Sequence, residues 1–312
     1  MIINNETDHS SEKRYLYDLH LHSTASDGQL TPSSLVKYAA QKGVTALALT
    51  DHDTIAGLNE ASLTAAELNL LFIPGVEISV DSHYGEMHIL GYGVLEREPL
   101  VGFLAMQNQN RLNRNLKIIE KLQEQGLDIT YDEVVALASQ SNADSASNMI
   151  VIGRPHIAAI LIAKSYVANH NDAFNLYLKE GMPAYVEREK TPPDEAIAII
   201  RASGGLAVLA HPFQLGIIAP TLMDQAVDAL VKAGLEGIEA LHSDHDKADQ
   251  RFYSSLADKY GLLITGGSDF HGSRVTPDVE IGKGRNHNLK LYDRQIIEKL
   301  IERIEARHRE VT

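Results

Sequence analysis

Short apolar runs alternate with longer amphipathic stretches along this chain, and that alternation predicts its elements. Tyr15 to His20 reads as a short strand, after which Thr31-Pro32 opens a helix with a hydroxyl N-cap and proline at its first position. That helix ends near Gly43. Val44 to Leu49 is apolar enough for a buried strand; Thr50-Asp51-His52-Asp53 follows it, and a helix is expected from about Thr54 to Asn69. Leu71 to Val80 and Met87 to Val94 read as further strands.

The pattern then changes. Residues 98–192 read as a helical insertion: Phe103 to Gln125, a helix capped by Thr130 with Glu133, Pro155 to Val167 and Asp172 to Glu180. Alternation resumes with strands at Leu206 to Ala210, Leu235 to Leu241 and Leu262 to Thr265, and with helices at Met223 to Ala233 and Ala248 to Tyr260. Such alternation implies parallel strands joined by crossover helices, in a barrel or an open sheet. The chain therefore divides into a first α/β part (15–97), the insertion (98–192), a second α/β part (193–291) and a tail (292–312) in which Tyr292 to Arg307 is a surface helix.

Composition narrows the chemistry. Hydrophobic residues at 44% and charged residues at 22% fit a globular chain rather than a disordered one. The chain has no cysteine, so disulfides, thiolate metal sites and a cysteine nucleophile are excluded, and any metal must sit on nitrogen and oxygen. A net charge of -14 argues against a broad surface for duplex nucleic acid, although bound cations can make a small phosphate pocket positive. The polar start MIINNETDHSSEKR and the lack of any run of about 18 apolar residues point to a cytoplasmic protein with no membrane partner.

Histidines and acids collect where the predicted strands end, the position at which parallel barrels carry their function. His20 and His22 follow the first strand, Asp51, His52 and Asp53 the second, Glu77 lies in the third and His88 in the fourth. His211, then His242 and His245, then Asp269 and His271 follow the later strands. In an extended segment, residues two apart share a face, so His20 and His22 can chelate one ion, and Asp269 with His271 repeats the spacing. Any one of these would pass as a surface polar residue; the set, repeated at successive strand ends, would not.

The segments Asp18-Leu-His-Leu-His-Ser-Thr-Ala-Ser-Asp-Gly28, Thr50-Asp-His-Asp53, Gly75-Val-Glu77, His88-Ile-Leu-Gly-Tyr92, Ala210-His-Pro212 and Ser268-Asp-Phe-His271 resemble, in content and order, the polymerase and histidinol phosphatase (PHP) family. The resemblance covers residues 15 to about 285 and is greatest to small phosphoesterases with a helical insert. It implies a distorted seven-stranded (βα) barrel with three divalent ions, Mn, Fe or Zn, at its mouth. Carried over, His20, His22, Glu77 and Asp269 would hold the first ion; Glu77 would bridge to a second on His88 and His211; Asp27, His52 and His271 would hold the third.

The activity implied is hydrolysis of the 3'-phosphate of a nucleoside 3',5'-bisphosphate, with 5'-to-3' cleavage of short single-stranded RNA as a related one. Hydroxide rather than a protein side chain is the expected nucleophile. Arg154, at the start of a predicted helix, and the pair Arg111 and Arg114, three apart on another, are candidate phosphate contacts. His156 is a candidate substrate contact or a plain helix-start residue, and His245 a candidate proton donor or phosphate ligand. Histidinol phosphate phosphatase and a non-catalytic phosphate-binding module are the alternatives.

Overall fold

The computed structural model describes residues 15–140, 151–187 and 191–311. Its first half runs β1 (Leu16–Asp18), α1 (Pro32–Gln41), β2 (Val44–Leu49), α2 (Leu58–Glu67), β3 (Leu71–Val80) and β4 (Met87–Tyr92). Between β4 and the second half lie α3 (Leu100–Glu124), α4 (Tyr131–Gln140), α5 (Arg154–Ala163) and the short α6 (His170–Ala173), which runs into a π-turn at Phe174–Leu178. The second half is α7 (Pro193–Ala202), β5 (Leu206–Leu209), α8 (Pro220–Lys232), β6 (Gly237–His242), α9 (Lys247–Tyr260) and β7 (Leu263–Gly267), and α10 (Arg294–Val311) ends the chain.

These seven strands form one sheet in sequence order, and Val279–Glu280 pairs with Gly284–Arg285 in a separate two-stranded one. Beyond its named strands the larger sheet closes on itself, because Leu19 donates its amide to Gly266 at 3.2 Å and Leu21 bridges to Phe270 in parallel. The architecture is thus the expected α/β barrel of seven strands. One feature of the expectation is wrong: β4 runs antiparallel to both β3 and β5. Only residues 81–86 separate β3 from β4, and a parallel crossover needs a dozen residues or more, so the two strands can pair only as a hairpin. The reversal decides where β4 contributes. His88 lies near the start of β4, and that end is level with the C-terminal ends of the parallel strands.

Local chemistry set several boundaries. Thr31 caps α1 by accepting the Ser34 amide at 3.2 Å, and Thr130 with Glu133 forms the expected capping box of α4. Helix α2 starts at Leu58 rather than near Thr54, since the intervening residues turn through Asp53 with φ 52°. Helix α7, absent from the sequence reading, is opened by Pro193 at its start. The segment expected as one helix from Asp172 to Glu180 is instead α6 and its π-turn.

Apolar residues gather in three clusters. One joins β1 and β2 to α1, α2 and α10, so the last helix buries Ile297, Leu300 and Ile304 against the barrel. A second joins β3 to β6 with α7, α8 and α9. The third, from Ile118 to Ala184, draws only on the inserted helices. Among the described residues no helix is long and apolar enough to cross a membrane.

Candidate metal centre

The strand ends bring all nine expected ligands into one cluster. Glu77, fully buried, lies at its middle. Its Oε2 is 3.3 Å from His20 Nε2, 3.2 Å from His22 Nε2 and 3.0 Å from His52 Nδ1. Its Oε1 is 2.9 Å from His88 Nδ1 and 2.8 Å from His211 Nε2. One carboxylate thus faces two groups of imidazoles, the geometry of a bridge. Asp269 Oδ1 meets His20 and His22 at 3.5 and 3.2 Å, while Asp27 Oδ1 is 3.3 Å from His271 Nε2 and its Oδ2 is 4.0 Å from His52 Nε2.

The His20–His22 pair works as its spacing suggests, with both Nε2 atoms reaching the same two carboxylates. Asp269 and His271 do not repeat that geometry. Asp269 lies beyond β7 with φ 57°, so the pair is not extended: Asp269 Oδ1 faces His20 and His22, whereas His271 turns its Nε2 to Asp27 and its Nδ1 back toward Asp269. His211, at φ 23°, is also in the left-handed region, where a non-glycine residue is strained and persists only if its surroundings hold it.

The structure also reveals what holds the ligands. Glu239, buried in β6, receives His20 Nδ1 at 3.1 and 3.2 Å and accepts the His211 amide at 2.8 Å. That leaves His20 Nε2 free to face the cluster and pins the strained His211 backbone. Of the Thr50-Asp-His-Asp53 motif, only His52 enters the cluster. Asp51 instead accepts from Ser23 and Ser26, shaping the loop that carries Asp27, with Oγ distances of 2.6 and 2.7 Å. Asp18 accepts the amides of Ser268 and Gly282 at 2.8 and 2.7 Å, tying β1 to the segments around β7. Two glycines permit close approach: a Cβ on Gly28 would lie 2.3 Å from the His22 carbonyl oxygen, and one on Gly267 2.3 Å from His20 Cβ.

Electrostatics mark the cluster as a cation site. Burial opposes charge on every member, yet the imidazoles hold Glu77, Asp27 and Asp269 well below the usual carboxylate range. In return, and against the same burial, Glu77 and Asp27 push His52 up to about 9, and Asp27 with Asp269 pushes His271 up to about 10. The rings of His22 and His271 nevertheless stack 4.0 Å apart. His20 Nε2, both His22 nitrogens, His52 Nδ1 and Glu77 Oε2 are buried without a hydrogen-bond partner. Buried polar atoms of this kind need a partner, and a set of bare imidazole and carboxylate donors fits divalent metal ions.

Residues 18–185 match the PHP domain family. The chain belongs to that family. A 5'-3' exoribonuclease of Haemophilus influenzae is 36% identical over 89% of this chain and 95% of its own length. A 3',5'-nucleoside bisphosphate phosphatase of Chromobacterium violaceum is 34% identical over 81% of this chain and 86% of its own. A solved structure from Bifidobacterium adolescentis, assigned to the metal-dependent phosphoesterases, superposes with a TM-score of 0.80 at 29% identity, covering 92% of this chain and 96% of that one. This PHP protein is accordingly a phosphoester hydrolase.

The non-ligand candidates of this PHP protein fare unequally. Arg111 on α3 is buried and makes an ion pair with Asp53, directly after His52. Arg154, the first residue of α5, pairs with Glu86 of the β3–β4 loop at 3.1 Å and lies over the Phe174 ring. Arg114 bonds Asn115 at 3.3 Å, and the charges of Arg114 and Arg154 both act on Tyr185. His156 caps α5 through Nδ1, which accepts the Gly153 amide at 3.1 Å, while the charges of Asp27 and Arg111 both reach its ring.

Burial, aided by neighbouring His242, pushes the His245 imidazole down to about 4, and its Nδ1 faces the Ala240 carbonyl at 3.0 Å, where the neutral ring donates. The sequence reading assigned no role to Glu239 or His242. Their spacing, Glu239-Ala-Leu-His242, was visible, but nothing in it announces contact with His20, over two hundred positions earlier.

Proposed function

We propose that this PHP protein removes the 3'-phosphate of nucleoside 3',5'-bisphosphates, and that it also shortens small single-stranded RNA from the 5' end. The observation carrying this reading is the arrangement of the insert's arginines at the edge of the ligand cluster. Arg111 reaches Asp53 beside His52, Arg154 reaches the β3–β4 loop, and Val151 donates its amide to Ala25 of the Asp27 loop at 3.1 Å. A substrate with two phosphates needs one seated over cations and another held by fixed positive groups. The named activities of the Haemophilus and Chromobacterium relatives support the same substrate class.

In this reading three ions would be held: the first by His20, His22, Glu77 and Asp269, the second by Glu77, His88 and His211, the third by Asp27, His52 and His271. When bound, Mn, Fe or Zn would lower the pKa of water to supply hydroxide near neutrality and neutralise the charge on the phosphoryl group. The protein's own residues do the rest. Glu77 fixes the spacing between ligand groups, and Glu239 keeps His20 and His211 in register. Arg154 holds the non-reacting phosphate by leaving Glu86, and Arg111 with Arg114 lines the approach. The inserted helices form the lid that recognises the nucleotide.

The test is phosphate release from adenosine 3',5'-bisphosphate and from histidinol phosphate, and mononucleotide release from short 5'-phosphorylated RNA, with manganese added. Preference for the bisphosphate by at least ten-fold in kcat/KM is expected. Preference for histidinol phosphate would replace this substrate with that one, and release from none of them would reduce the protein to a phosphate-binding module.

A further inference from the structure

His242 stands inside the cluster but is wired differently from the ligands. Its Nδ1 accepts the backbone amide of Asp244 at 3.1 Å. A ring nitrogen that accepts from an N–H carries no proton, so the proton of the neutral ring is on Nε2. The side chain is 1% exposed, and Nε2 makes no hydrogen bond, although Asp269 Oδ2 lies 3.4 Å away. His20 presents the opposite face. Its Nδ1 is engaged by Glu239, which leaves a bare Nε2 to meet a cation.

His20, Glu239 and His242 lie close enough together to suggest one more metal site. The hydrogen bonds argue against it, since both oxygens of Glu239 are occupied by His20 Nδ1 and one of them also by the His211 amide, and His242 offers a proton where a ligand must offer a lone pair. The rings of His211 and His20 lie 5.4 and 6.0 Å from that of His242, so its N–H sits between residues facing two ligand groups. Position and polarity both suit an anionic oxygen seated on the cluster.

We propose that His242 is a substrate-contacting residue whose Nε2–H donates a hydrogen bond to a phosphoryl oxygen, on the Asp269 side of the site. The Asp244 amide sets the tautomer and Tyr253, through His245, backs the ring: the His245 ring lies 5.3 Å from that of His242 and 4.7 Å from that of Tyr253. His242 then stabilises the charge on phosphorus without transferring a proton and without holding a metal.

The experiment compares wild type with His242→Ala and His242→Gln, each loaded with zinc. Metal per chain is measured by elemental analysis, and binding of orthovanadate by its inhibition constant. The expected result is wild-type metal content in both variants, orthovanadate binding weakened about 10- to 100-fold in His242→Ala as for a lost charge-assisted bond, and partial recovery in His242→Gln, which restores an N–H. In the zinc-loaded wild type, nitrogen NMR should find the His242 proton on Nε2. Loss of an ion from His242→Gln would make His242 a ligand and overturn the proposal. Unchanged orthovanadate binding in both variants would overturn it too, leaving the ring as a support for Asp269.

Discussion

On the barrel side of the site, Glu77 is fully buried, with five imidazoles around its two oxygens and several ring nitrogens that have no partner. On the other side two arginines already face carboxylates: Arg111 faces buried Asp53, and Arg154 faces Glu86, whose side chain is 58% exposed. The barrel half is therefore built around an absence of internal partners, whereas the insert half is satisfied until an anion displaces one. The two ion pairs also differ. Breaking a buried pair strands a charge and costs several kcal/mol, roughly 3–5, while an exposed pair gives up roughly 0–1 kcal/mol. Arg154 is thus the arginine free to exchange partners, and Arg111 the one that anchors α3 to the His52 loop.

The most severe way to break this contrast is Glu77→Gln. With the central charge gone, kcat should fall at least about a thousand-fold and metal content by more than one ion per chain, as elemental analysis would register. Retention of full metal content would remove Glu77 as the bridge.

Acid should empty the barrel half next. With His52 at about 9, His271 at about 10 and His20 also raised well above its ordinary value, all by carboxylates against burial, the metal-free cluster carries imidazole protons at neutral pH that ions must displace. Affinity should therefore rise with pH through neutrality, by about a hundred-fold per unit from His52 and His271 alone, and keep rising until about pH 10. Calorimetric titration of chelator-stripped protein between pH 6 and 8, in buffers of differing ionisation enthalpy, would count the protons released. A count near zero would contradict the electrostatic picture.

On the insert side Arg154→Ala should lower kcat/KM for a nucleoside bisphosphate by about 10- to 100-fold, the worth of a charge-assisted phosphate contact. The metal count should stay at the wild-type value. Glu86→Gln gives the smallest effect and the opposite sign: with its competitor gone, Arg154 should bind phosphate more readily, and KM should fall about two- to five-fold. A rise in KM would mean that Glu86 positions Arg154 rather than competing with substrate.

How far the sequence spoke varies from residue to residue. Imidazoles and carboxylates recurring at strand ends, where a barrel gathers its chemistry, marked out eight of the nine ligand candidates, while Asp27 and the choice among the marked residues came from the PHP resemblance. Hydrophobic periodicity located the seven barrel strands but carries no direction, so the reversal of β4 was hidden until the short 81–86 connection was read as a hairpin. Burial of His245 was equally hidden, because its depth depends on Tyr253 and Phe213 from other segments.

Local pattern alone determined most element types and which residues are able to bind cations, since each is a property of neighbours along the chain. Tertiary structure decided which hydrogen bonds those residues make. Glu239 meets His20, Arg111 meets Asp53 and the Asp244 amide fixes the His242 tautomer only once the chain has folded. A side chain's role as ligand, donor or brace follows from which of its atoms is already engaged, and apart from close neighbours such as Asp244 the engaging partners come from remote parts of the chain.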